Sequence, residues 1–161
     1  MISILSNPSE KLLTTWYAEN VVNGKTIASQ KVTQACQRHL NDLDRQGTDD
    51  FPWIFVEEKG HRPIRFIELF CKPSKGDFNK LVLQSWQHFT IGSIFGWVHK
   101  DTGIRRFKEA LIFVGRKNGK TTKISGVSLY GVSKDNENGA EIHLLANSMK
   151  QARLLFDESK A

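Results

Sequence analysis

Apolar positions along the chain fall into two regimes. Up to about residue 95 they recur at helical spacing. Leu12, Leu13, Trp16 and Tyr17 form one stripe, and Ala28, Val32, Ala35, Cys36, Leu40 and Leu43 form a second. Asn7 as N-cap, Pro8 at the first helical position and Glu10 three residues after the cap predict where the first helix starts. Asn23-Gly24 stops it, and the second stretch ends near Gln46-Gly47. Residues 47 to 80 carry Pro52, Pro63 and Pro73 between the short apolar pieces Trp53 to Val56 and Ile64 to Phe70. They predict a loop with one or two short strands or turns. A further helix is expected from about Ser85 to Phe95, with Trp86, Phe89 and Ile94, although Gly92 weakens the pattern.

From Phe107 the periodicity changes. Ala110 to Val114 is a continuous apolar run, the pattern of a strand buried on both faces, and Ile142 to Ala146 is another. Between them lie a glycine-bounded loop, Gly115 to Gly119, and a predicted helix, Lys120 to Val132. Ser148 with Gln151 three residues on predicts the capped start of a last helix. Strand, loop, helix, strand, helix is the opening of a parallel sheet. The fold class is therefore α/β: N-terminal helices followed by the start of a parallel sheet, which reads as incomplete.

Charge sharpens the picture. Residues 1 to 58 carry a net charge of −3, residues 59 to 123 a net of +10, and residues 124 to 161 a net of −1. A basic middle suggests an anionic partner, either nucleotide phosphates or a nucleic-acid backbone. With 161 residues the chain is long enough for one ordinary domain with a real core. No apolar run approaches the roughly 20 residues that cross a bilayer, and the N-terminus has neither the basic nor the long apolar region of a signal peptide. Two cysteines, Cys36 and Cys71, lack metal-ligand spacing. That excludes a disulfide framework or zinc knuckle and fits a reducing compartment.

Inside the basic stretch lies Val114-Gly115-Arg116-Lys117-Asn118-Gly119-Lys120-Thr121-Thr122. Gly119-Lys120-Thr121 is the core of a Walker A loop, with a predicted strand before it and a helix after it. Glycine lets the backbone approach phosphates, and successive N–H groups at a helix N-terminus make an anion nest. Lys120 can reach the β- and γ-phosphates, and the Thr121 hydroxyl can ligate Mg²⁺. The first motif position falls on Val114 rather than glycine, with Gly115 one residue late.

Arg116 to Thr121 resembles the variant Walker A loop of the large terminase subunit of tailed bacteriophages, which often lacks the leading glycine and carries an early Arg or Lys. Weaker similarities follow the same order along the chain: Tyr17 with Val21 to Gly24, Arg38 to Leu43, Arg65 to Glu68 as a short strand, Leu83 to Phe89 with Phe95 to Trp97, and Gln151 to Arg153. The resemblance implies an ATP-driven motor that packages double-stranded DNA and cleaves concatemers. Its implied partners are a portal protein and a small terminase subunit, its assembly a homo-oligomeric ring, and its setting the bacterial host cytoplasm, with no membrane role. ATP and Mg²⁺ are the implied cofactors. Gly115, Lys117, Asn118, Gly119, Lys120, Thr121 and Thr122 would line the nucleotide site, with Lys120 and Arg116 as the catalytic cations. Gln87 would read adenine, for which an amide offers both donor and acceptor.

By the same resemblance, residues 1 to 80 form an N-terminal segment and residues 81 to 161 the first part of the ATPase domain. A P-loop ATPase also needs acids that hold Mg²⁺ and orient water. The nearest imitation of a Walker B strand, Leu154 to Glu158, reads instead as helix, because Arg153 interrupts the run and Ser148 and Gln151 cap it. The Walker B and nuclease motifs are thus expected to be absent, and the chain alone to turn over ATP poorly. Two other readings compete: a helicase-like P-loop protein, and a non-enzymatic basic nucleic-acid-binding module.

Overall fold

The computed structural model describes residues 11–72, 81–135 and 140–159. The expected helix start at Asn7 to Glu10 lies outside these residues. The described elements run α1 (Thr14–Val22), α2 (Gln30–Asp44), β1 (Trp53–Phe55), α3 (Glu57–Phe70), α4 (Ser85–Gly96), β2 (Trp97–His99), α5 (Lys120–Ser133) and α6 (Met149–Glu158). They belong to two compact units: residues 1–64 with 83–110, and residues 65–82 with 111–161.

In the first unit, α1 ends where the sequence stops it. Asn23 caps the helix and Gly24 follows at φ +70°. Ser29 caps α2 by accepting a bond from the Val32 N–H. Tyr17, Ala18 and Val21 of α1, Cys36 of α2 and Phe89 of α4 form the core, with Trp86 packed at its margin. Trp86 is thus a packing residue. Helix α4 lies close to α1, and Gly92 permits the approach: a Cβ there would collide with the buried Thr14 hydroxyl. Thr14 donates that hydroxyl to the His88 carbonyl at 2.9 Å. Strands β1 and β2 pair antiparallel, Trp53 opposite His99 and Phe55 opposite Trp97.

The structure corrects residues 57 to 70. The expected loop and short strands, including the Arg65 to Glu68 strand implied by resemblance, are one 14-residue helix, α3. Glu57 and Glu58 sit in its first turn, where carboxylates suit the helix dipole. Gly60, Ile64 and Ile67 then recur on one buried side. Pro63 misleads because it lies inside this helix, where it returns no N–H bond to the preceding turn.

The second unit is built on α5 and α6 with the C-terminal half of α3. Gly126 of α5 lies against Ile67 and Cys71, and Tyr130 meets the Phe66 ring at 5.6 Å. Helix α6 starts as expected, with the Gln151 N–H bonded to Ser148 Oγ at 3.3 Å, and it covers residues 154 to 158 as helix rather than strand.

The two expected buried strands take a different form. Residues 111 to 114 and 142 to 146 belong to no strand, and the only sheet among the described residues is the β1–β2 pair. Leu111 and Phe113 are each 96% exposed and Leu145 is 90% exposed. A continuous apolar run specifies a two-sided burial site, but a strand exists only when neighbours satisfy its N–H and C=O groups. The described residues supply no such neighbours.

Candidate functional site

The loop from Gly115 to Gly119 turns sharply because two of its residues are left-handed. Gly119 sits at φ +63° without penalty. Lys117 sits at φ +65°, the sole non-glycine residue with positive φ among those described. Helix α5 begins at the next residue, Lys120, with Gly119 as N-cap. Glycine has no side chain to accept from the first-turn N–H groups, and no side-chain cap closes this end of the helix. Left-handed residues next to a helix N-terminus make a concavity lined by N–H groups, which suits an anion.

Gly115, Arg116, Lys117, Asn118, Gly119, Lys120 and Thr121 are all exposed, and Thr122 is half-buried. The loop therefore gathers three cations, Arg116, Lys117 and Lys120, and the Thr121 hydroxyl within six residues of chain. Asn118 points its amide back into the loop, donating to the carbonyls of Gly115 at 3.3 Å and Arg116 at 3.2 Å. Lys123, one turn into α5, differs in kind. It is 1% exposed, and burial pushes its ammonium down to about 8. It is a core group of the second unit, whereas Lys120 stands in solvent.

Gln87 belongs to the first unit and is buried at the third position of α4. Its Oε1 accepts from the Gln84 N–H at 2.8 Å, half of a capping box. A glutamine here thus has a structural use, and its remaining amide donors are what it could offer a base.

Sequence reading assigned Arg105, Arg106 and Lys108 no role, and it missed a second polar centre. Arg106 Nη1 meets Asp42 Oδ2 at 2.6 Å, and Arg45 Nη2 meets Asp42 Oδ1 at 2.7 Å. Burial alone would raise the Asp42 carboxyl, but hydrogen bonds from Arg106 and Arg45, with their charges, bring it below the usual range. Arg106 also lies over the rings of Phe51, Trp97 and Phe107. Beside it, His39 is 3% exposed and boxed by Phe55, Phe89 and Trp97. The Trp97 indole N–H donates to His39 Nδ1 at 3.0 Å, which places the ring proton on Nε2, 3.1 Å from Thr15 Oγ1. Burial lowers the His39 pKa to about 4. These groups hold the fold of the first unit together; none of them is in the loop.

No group of three metal-capable side chains occurs among the described residues, and no described helix is long and apolar enough to cross a membrane. No curated protein and no solved structure gives a match to the chain. A family model does match: terminase large subunit, ATPase domain, over residues 85–161, a stretch that holds α4, the Gly115–Gly119 turn, α5 and α6. Over those residues, the chain is similar to the ATPase domain of the terminase large subunit.

Proposed function

We propose that this chain carries the nucleotide-gripping part of a terminase large-subunit ATPase, a motor that drives double-stranded DNA into a capsid and cleaves it. The carrying observation is the left-handed turn at Lys117 and Gly119 feeding an uncapped helix N-terminus at Lys120, within the family-matched residues. The match favours this reading over a helicase-like protein or a basic binding module.

The donor set suits a nucleoside triphosphate. The N–H groups at the start of α5 bind phosphate oxygens, and the exposed Lys120 ammonium adds charge-assisted bonds to the β- and γ-phosphates. Arg116, also exposed, would offset charge at the γ-phosphate as the terminal P–O bond breaks. The Thr121 hydroxyl would hold Mg²⁺, which would supply positive charge to neutralise the phosphates when bound. Gln87 donates its free amide hydrogens to adenine. The runs 110 to 114 and 142 to 146 serve as strands of the ATPase sheet; the exposure of Leu111, Phe113 and Leu145 supports that role. Helix rather than strand at residues 154 to 158 supports slow ATP turnover by this chain alone.

The partners of this motor are DNA, a portal protein and a small terminase subunit, and it works as a homo-oligomeric ring in the host cytoplasm. Calorimetric titration with Mg-ATP tests the central claim. Wild type binds and Lys120→Ala loses most of its affinity; equal affinities would defeat the assignment. The same titration with GTP tests Gln87: Gln87→Ala lowers the ATP-to-GTP preference, and an unaltered ratio returns Gln87 to capping alone.

A further inference from the structure

We infer that Asn118 is a positioning residue of the phosphate loop, aiming backbone donors at the anion rather than contacting it, an inference that rests on the phosphate-loop reading above. The loop from Gly115 to Lys120 is exposed throughout, so core packing does not impose its shape. It nevertheless contains Lys117 in the left-handed region, a conformation that is unfavourable for a non-glycine residue. Something local must offset that cost. The Asn118 amide does so by donating to the carbonyls of both Gly115 and Arg116.

Those two bonds have a directional consequence. In a trans peptide the C=O and the following N–H point opposite ways. Turning the Gly115 and Arg116 carbonyls toward Asn118 therefore turns the N–H groups of Arg116 and Lys117 away from it, outward. It also withdraws two carbonyl oxygens that would repel a phosphate. Asparagine suits the task because one short side chain carries two N–H donors. Aspartate has the same shape, yet when ionised it only accepts, so it would push both carbonyls away and set a negative charge beside the site.

Titration of the 161-residue chain with Mg-ATP and with inorganic triphosphate, for wild type, Asn118→Ala, Asn118→Asp and Lys120→Ala, tests this. Asn118→Ala should weaken both ligands by a similar factor, about tenfold for two neutral hydrogen bonds, while the thermal midpoint of the chain without ligand stays put. Asn118→Asp should weaken them further at pH 8. The excess loss relative to Asn118→Ala should shrink as salt rises, because part of it is charge repulsion in an exposed loop. Wild-type affinity in Asn118→Ala, or an Asn118→Asp that binds no more weakly than Asn118→Ala, would overturn the positioning role. If Lys120→Ala loses binding while Asn118→Ala keeps it, only this inference falls. If wild type and Lys120→Ala bind alike, the phosphate-loop reading fails and carries this one down with it.

Discussion

Acid should unfold the first unit through His39 before it reaches the carboxylates. In the fold the ring accepts from the Trp97 indole through Nδ1 and lies among three aromatic rings. Protonating Nδ1 breaks that bond and places a charge in an apolar box. The Asp42 charge favours the protonated ring and the Arg38 charge opposes it, but burial dominates, and the folded-state pKa is about 4 against an ordinary 6.5. The unfolded chain therefore binds a proton that the folded chain excludes. The stability that a neutral His39 contributes is complete above pH 6.5 and is lost as pH falls towards 4. A separation of this size corresponds to about 3 kcal/mol in full, and to about 2 kcal/mol at pH 5 relative to pH 8. Against a typical total of roughly 5–15 kcal/mol, that is a large share. Urea unfolding followed by circular dichroism between pH 8 and pH 4.5 reads the loss. His39→Gln, which cannot titrate, should be weaker at pH 8 but should flatten the pH dependence by about that amount. Parallel pH profiles for wild type and His39→Gln would refute the reasoning. The Asp42 contribution falls in a separate window: its carboxyl is held below its ordinary 3.8, so its stabilisation is present above that value and disappears only in stronger acid.

Two further substitutions test the packing of the same unit by thermal or urea unfolding. Gly92→Ala should destabilise by about 1–3 kcal/mol, although alanine is the better helix former by about 1 kcal/mol. The added methyl meets the buried Thr14 hydroxyl, which is held by its bond to the His88 carbonyl; a stabilised Gly92→Ala would show that α1 and α4 do not approach so closely. Asp42→Asn should cost about 2–3 kcal/mol, since Arg106, with 17% of its side chain exposed, keeps its charge without a counter-ion. Arg45→Ala should cost about 1 kcal/mol or less, because Arg45 is 58% exposed. Equal costs for the two would contradict the assignment of Arg106 as the buried partner.

Local chemistry was legible in the sequence. Asn23-Gly24 ended α1, the apolar stripe from Ala28 to Leu43 marked α2, Ser148 and Gln151 opened α6, and Gly119-Lys120-Thr121 announced a tight turn entering a helix. Each of these depends on residues within about one helical turn of one another, so spacing along the chain is spacing in the molecule. Helix α3 was hidden because Pro63 and the apolar run from Ile64 to Phe70 mimic a loop and a strand. What overrides them is burial of Ile64 and Ile67 on one face, a tertiary fact. The runs 110 to 114 and 142 to 146 are apolar as their pattern requires, but the buried, paired strands expected of them are not formed among the described residues, because pairing is a property of neighbours rather than of the run. The couplings that hold the first unit were beyond any local reading. Trp97 meets His39 across 58 residues and Arg106 meets Asp42 across 64. A histidine, an aspartate and an arginine have ordinary identities in the sequence; only burial together in the fold gives them shifted protonation and a structural role.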